Sequence, residues 1–371
     1  MLLSTVVLGS HLIATAATAQ VAPAAPPGHA TRDHTKTTSL NIGDAAPSLA
    51  GVKWLAGTEI APAATESQPG KVTIVAFWAS WSAASREAMG VLSRLGRELD
   101  GDGVRVAAVC VWPRDKNEDC APLVAKWSTR WPLSYGVDSA GDVASRWLDA
   151  AGRESVPMAF VVGGDGKIAW IGSPFEGLGP IARRVVKGTL DAATTRRQIE
   201  RCRRLDELAG KSMVLGALTV TDELLAEDGE LFGYLAGFKF RLLLRQHESG
   251  VQAFAFAREA LRTHLKDNPE ELNALANAAL DHKERDVSLS LEAAQRAADL
   301  LANAQDESAS VYDTLGRARY ENGEVEAAVA AQTRAVELAE EGRMKRTMQK
   351  RLEKYEAAMP RDAGPPKLTG Q

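Results

Sequence analysis

Two serines stand three residues apart, Ser82 and Ser85, in the segment FWASWSAASR that runs from Phe77 to Arg86. A serine hydroxyl works as a nucleophile only when a base such as His is held beside it. No His lies between His34 and His247, so acyl transfer has no partner in this part of the chain. The stronger reading of Ser82 is an N-cap, its oxygen accepting from a free N–H of a following helix. Thiols are the other candidates for covalent chemistry. The chain has three, Cys110, Cys120 and Cys202, and no Cys-x-x-Cys. Cys110 closes an apolar run and reads first as a small buried apolar residue. Cys202 lies between Arg201 and Arg203, cations that would lower a thiol pKa. Cys110 and Cys120 can pair only if the fold brings them within disulfide reach. His29, Asp33 and His34 cluster in a Pro/Ala/Thr segment and read as solvated linker. No Cys/His spacing suggests zinc, and no cofactor is expected.

The elements that must position these groups are legible from periodicity. Residues 71–78, KVTIVAFW, are apolar and rich in β-branched and aromatic types, which predicts a buried central strand. Residues 83–98 carry Ala84, Ala88, Val91, Leu92 and Leu95 at helical spacing,. A second strand is expected over 104–112, a helix over 122–127, a short strand over 132–137 and a short helix over 142–151. Residues 156–172, VPMAFVVGGDGKIAWIG, read as two strands about a Gly-Asp-Gly turn, a hairpin. From Asp191 strand signals fade. Residues 194–212 are charged and helical, and their arginines, Arg196 to Arg204, read as a solvated face.

Three segments together resemble the thioredoxin-like reductases of the TlpA/ResA type. The entry LNIGDAAPSLAGVKWLAG matches the family's turn before a short strand, through Asp44, Pro47 and Trp54. FWASWSAASR matches the active-site turn, with Ser82 and Ser85 where the family has its two working cysteines. VPMAFVVGGDGKIAW matches the loop opposite, which implies that Pro157 is the family's cis-proline. Ala88 and Gly90 stand where the family has Glu and Pro. The resemblance implies an α/β thioredoxin fold, a central mixed β-sheet flanked by helices, over residues 41–190. Thiol–disulfide exchange needs a thiolate to attack and a second thiol to resolve. A hydroxyl at Ser82 stays protonated near pH 7, so the pair cannot carry that reaction. Residues 310–341 resemble a tetratricopeptide unit, with Gly323 in its turn and Leu315, Gly316, Ala328 and Ala335 at its helix contacts. Further units are read at 238–268, with Gly250 in the turn, and at 270–304, and residues 343–358 read as a capping helix. An all-α repeat domain is therefore expected to follow the sheet.

The resulting plan is a signal peptide at 1–19, ending in Ala17-Thr18-Ala19,, and a disordered linker at 20–40. The thioredoxin-like domain follows at 41–190, a helical connector at 191–235, repeats at 236–359 and a disordered tail at 360–371. The chain has 371 residues and a net charge of −4, which argues against nucleic acid or an anionic membrane as partner. The expectation is an exported protein, periplasmic or extracellular, with no membrane span after cleavage. Its partner is expected to be a protein or an extended peptide held between the two turns by Trp81, Ser82, Ala83, Ser85, Val156 and Pro157. Two other readings stand beside it. In one, Cys110 or Cys202 acts as a surrogate thiol in an oxidoreductase. In the other, the thioredoxin-like part is a spacer and recognition lies only in the repeats.

Overall fold

A computed structural model describes residues 39–60, 71–113, 120–246 and 250–359. The expected signal peptide, the His29–Asp33–His34 cluster and the tail lie outside them. Six strands form one mixed sheet: β1 (Lys53–Ala56), β2 (Thr73–Trp78), β3 (Arg105–Cys110), β4 (Ser134–Val137), β5 (Met158–Val162) and β6 (Ile168–Gly172). Their order is β1-β4-β3-β2-β5-β6. β2, β3 and β4 run parallel, joined by the crossover helices α1 (Ala83–Glu98) and α2 (Ala121–Arg130). β5 returns antiparallel on the far side of β2, and β6 pairs with it as a hairpin. This is the thioredoxin arrangement.

β2 is central, so both its faces must be apolar. All six of its residues are buried. Ile74, Ala76 and Trp78 face a core shared with Met89 and Leu92 of α1 and Val124 and Trp127 of α2. Val75 and Phe77 face the opposite core, against Trp147 and Phe160, whose rings stack edge-on 5.1 Å apart. Trp147 belongs to the segment expected as one short helix. It forms instead one turn, α3 (Asp142–Ala144), continued by a π-turn over Ser145–Asp149. The β5–β6 turn places Gly166 at φ +75°, where a side chain would be strained,. Leu40, assigned to the linker from sequence, is ordered and buried, and its N–H donates to Ala150 O at 3.0 Å.

After α4 (Leu178–Val186) the chain is helical throughout. α5 (Ala192–Gly210) and α6 (Val214–Glu227) form the connector. Three helix pairs follow: α7 (Leu235–Gln246) with α8 (Val251–Arg262), α9 (Pro269–Asp281) with α10 (Val287–Asn303), and α11 (Ala309–Glu321) with α12 (Val325–Leu338). The last described helix is α13 (Arg343–Ala357). Several starts carry side-chain caps: Asp191, Asn268, Asp286 and Ser308 each accept from the N–H three residues on,. Small residues let the pairs close. A Cβ on Gly316 would meet Gln332 Oε1 at 2.8 Å.

The helical part folds back onto α1 and α2. Asp306, between α10 and α11, has a side chain only 3 % exposed. It pairs with Arg94 at 2.7 Å and with Arg130 at 3.5 Å, and accepts from Trp131 Nε1 at 3.1 Å. Arg94 also pairs with Glu270, and Arg130 donates to Glu307 O. Further along, Glu340 accepts from Trp127 Nε1 at 2.9 Å and pairs with Arg86 at 3.4 Å. Burial opposes the charge of Asp306, yet hydrogen bonds from Trp131 and the Glu307 N–H, with Arg94, hold its carboxyl below the usual range.

A depressed carboxyl pKa contributes stability above the unfolded value and loses it as pH falls through the folded one. Asp306→Asn should therefore destabilise the chain by about 3 kcal/mol at neutral pH, the scale for breaking a buried pair. The gap to wild type should close below about pH 4. Urea denaturation at a series of pH values measures it. A gap that stays constant with pH would show that the carboxylate charge does not hold the two parts together.

Candidate functional site

The turn between β2 and α1 is held by its two serines. Ser82 caps α1, its Oγ accepting from Ser85 N at 3.1 Å. Ser85 Oγ accepts from Ala79 N at 3.3 Å. The sequence favours this outcome because serine hydroxyls satisfy the free N–H groups at a helix start. Both residues are buried. Neither is placed with a base. Arg86 donates to Ser80 O at 3.1 Å and Trp81 Nε1 to Trp112 O at 2.8 Å, which fixes the rest of the turn. Opposite it, the Val156–Pro157 peptide is cis. The β2–β5 ladder ends at the Phe77–Met158 pair, so Val156 lies just beyond the last paired residue of β5.

Between these turns opens a cavity of about 850 Å³. Trp81, Ser82, Ala83, Val156 and Pro157 all line it. Ser85 does not. It is fully buried, because its hydroxyl turns inward to the Ala79 N–H, and this corrects its assignment to the groove. The facing wall was not expected from sequence. It is built by α5, through Gln198, Ile199 and Cys202, by the segment before α7, through Phe232 and Tyr234, and by Glu270 and Glu271 of α9. No sequence signal links α5 or α9 to the turn, since both read as ordinary helices.

The two candidate thiols end in different places. Cys110 is bonded to Cys120, with the Cα atoms 6.9 Å apart. It sits where β3 registers with Trp78, and its sulfur is held in that disulfide. Cys202 is the free cysteine, and its sulfur lies 3.8 Å from the Tyr234 hydroxyl, on the cavity wall. Burial pushes its thiol up to about 11. Arg201 still lowers it, but burial outweighs that effect, and the charges of Glu176 and Asp206 add to the rise.

Among the charged residues of the cavity lining, carboxylates outnumber guanidiniums. Glu87, Glu176, Asp206, Glu270 and Glu271 face Arg153 and Arg203. Burial raises the carboxyl pKa of Glu87, with the Glu270 charge adding to it. Burial likewise raises Glu176 and Asp206. Glu271 is pushed up to about 7, by burial first and by Glu270. Among the described residues no group of His, Cys, Asp and Glu is arranged to hold a metal ion, and no helix is long and apolar enough to cross a membrane.

No protein-family model matches the chain. A relative, the protein FixW of Rhizobium leguminosarum, is 25 % identical over 168 residues, which cover 44 % of this chain and 74 % of that protein. Among solved structures, a Chlorobium tepidum protein assigned as a thiol:disulfide interchange protein DsbE is 20 % identical and matches over 40 % of this chain and 99 % of its own, with a TM-score of 0.31. The thioredoxin domain of a Bacteroides vulgatus thiol-disulfide oxidoreductase is 20 % identical over 41 % of this chain and 100 % of its own, also with a TM-score of 0.31. The chain has a thioredoxin-like sheet followed by a helical region, and it is similar to FixW over 44 % of its length.

Proposed function

We propose that this chain is a redox-inactive thioredoxin-fold protein that binds an extended peptide or protein segment, an exported adaptor whose tetratricopeptide-like helices form a second scaffold. The observation that carries the reading is the pair of serine hydroxyls, each accepting a backbone N–H of the turn; by the sequence resemblance, Ser82 and Ser85 stand where the family has its working cysteines. The turn keeps its shape without a group able to form a mixed disulfide. A cavity remains open between that turn and the cis-proline loop. Backbone beside such a loop can add a peptide in strand fashion, a mode that needs no thiol. An open cavity also counts against a mere spacer.

A second reading, an oxidoreductase that uses Cys202, draws on the thiol's place in the cavity wall. Its raised pKa opposes that reading. At pH 7 a thiol with a pKa of about 11 is thiolate in only ~1 part in 10,000.

Two measurements separate the readings. Reduction of a short disulfide-bonded peptide by the native chain should stay at the uncatalysed rate, while the double variant Ser82→Cys/Ser85→Cys should become active. Activity in the native chain that disappears in Cys202→Ala would overturn the binding reading. Independently, alkylation of Cys202 should be slow at neutral pH and climb about tenfold per pH unit up to pH ~10, because burial favours the neutral thiol and each unit multiplies the thiolate fraction by ten. A plateau below pH 8 would mean an activated thiol and would favour the oxidoreductase.

A further inference from the structure

The first described residues lie beside the cavity. Ser39 and Leu40 both donate to Ala150 O, at 2.9 and 3.0 Å, three residues before Arg153, which lines the cavity. Ile42 O accepts from Arg196 of α5 at 3.1 Å, and Thr195 and Ile199 of that helix form part of the wall. The direction of the chain is fixed as well. Ala45 bridges Lys167 in the antiparallel sense. Followed back from Ala45 to Ser39, the chain therefore runs the way β6 runs, toward Gly172, another lining residue. The described chain thus starts on the cavity side. Lys36 stands three residues before Ser39 and Arg32 seven, spans of at most ~10 Å and ~25 Å.

Residues 32–38 read RDHTKTT. Side chains of an extended chain alternate between faces, so Arg32, His34 and Lys36 share one face and Asp33 takes the other. The three threonines, with no Gly or Pro among them, favour that conformation,. The cavity presents the complementary charge, five carboxylates against two guanidiniums. Its volume of about 850 Å³ admits a few residues of extended chain and no folded surface. We propose, resting on the peptide-binding reading, that residues 32–38 of this chain occupy the cavity as an added strand beside Val156, with Arg32 and Lys36 toward its carboxylates. The site is then closed in cis, and a partner segment binds by displacing this one. A short tether gives the cis segment an effective concentration on the order of millimolar, so it excludes any segment of similar affinity present below that level.

The test compares the full chain with its variant Arg32→Glu/Lys36→Glu. The probe is a blocked peptide with the sequence of residues 32–38, titrated by calorimetry. A second peptide, with norleucine at both basic positions, reports the binding of extended segments at large. Alkylation of Cys202 by iodoacetamide is followed in parallel, because that thiol lies on the cavity wall and an occupant shields it. The variant should be alkylated at least about threefold faster than the native chain at one pH, and should bind the probe at least about tenfold more tightly, since a tethered competitor has been removed. Added probe should restore slow alkylation to the variant. The sign of the first effect is diagnostic: glutamates held in the cavity would disfavour the thiolate and slow the reaction, so loss of the segment is what speeds it. Equal alkylation and equal probe binding in the two chains overturn the cis occupant and leave the peptide-binding reading standing. Binding of neither peptide to either chain, with alkylation unchanged, overturns both.

Discussion

One buried carboxylate organises the molecule. Asp306 leaves solvent almost completely, and it does so by satisfying an arginine from α1, an arginine from α2 and the indole N–H of Trp131. Removing a charge from water is costly unless its partners are close and well oriented. Here all but the Glu307 N–H are supplied by the thioredoxin-like part, so the connection between α10 and α11 is tied to α1 and α2. The first turn of α9 is fixed with it, through Arg94 and Glu270. The wall of the cavity is therefore a consequence of a seam that lies outside it.

The turn between β2 and α1 is held by its own hydroxyls. A helix start needs acceptors for its free N–H groups, and a serine oxygen serves that need as well as any. Ser82 is kept in place by capping and Ser85 by accepting the Ala79 N–H of the preceding turn. What a hydroxyl cannot supply is the thiolate. The architecture of a disulfide reductase is thus compatible with an interior whose character comes from carboxylates of later elements.

The sheet was readable in the chain because each strand carries its own signal. The apolar runs of β2 and β3 and the Gly-Asp-Gly turn are local patterns, and Ala83–Glu98 shows helical spacing along its whole length. The π-turn at Ser145–Asp149 was not readable, since five residues do not distinguish one helical pitch from another. Of the site, the turn and the cis-proline loop were legible as motifs, whereas the inward rotation of Ser85 depends on one backbone N–H. The fate of the thiols was hidden for a different reason. Arg201 and Arg203 flank Cys202 in sequence, but tertiary neighbours decide its state: the wall buries the sulfur, and the charges of Glu176 and Asp206 add to that effect. Nothing local in α9 marks Glu271 as a neighbour of a turn formed almost two hundred residues earlier.

That separation has a kinetic consequence. The bond from Arg94 to Asp306 spans 212 residues and the bond from Trp127 to Glu340 spans 213. Contacts so distant in sequence form only after the intervening chain has ordered, because loop closure must precede any gain from them. The sheet and its turn are assembled from nearer contacts and can be in place while the last helices are still unmade. The facing wall comes from α5, the segment before α7 and α9, so during synthesis the groove gains that wall in stages, the last of them only after the chain has passed Glu271.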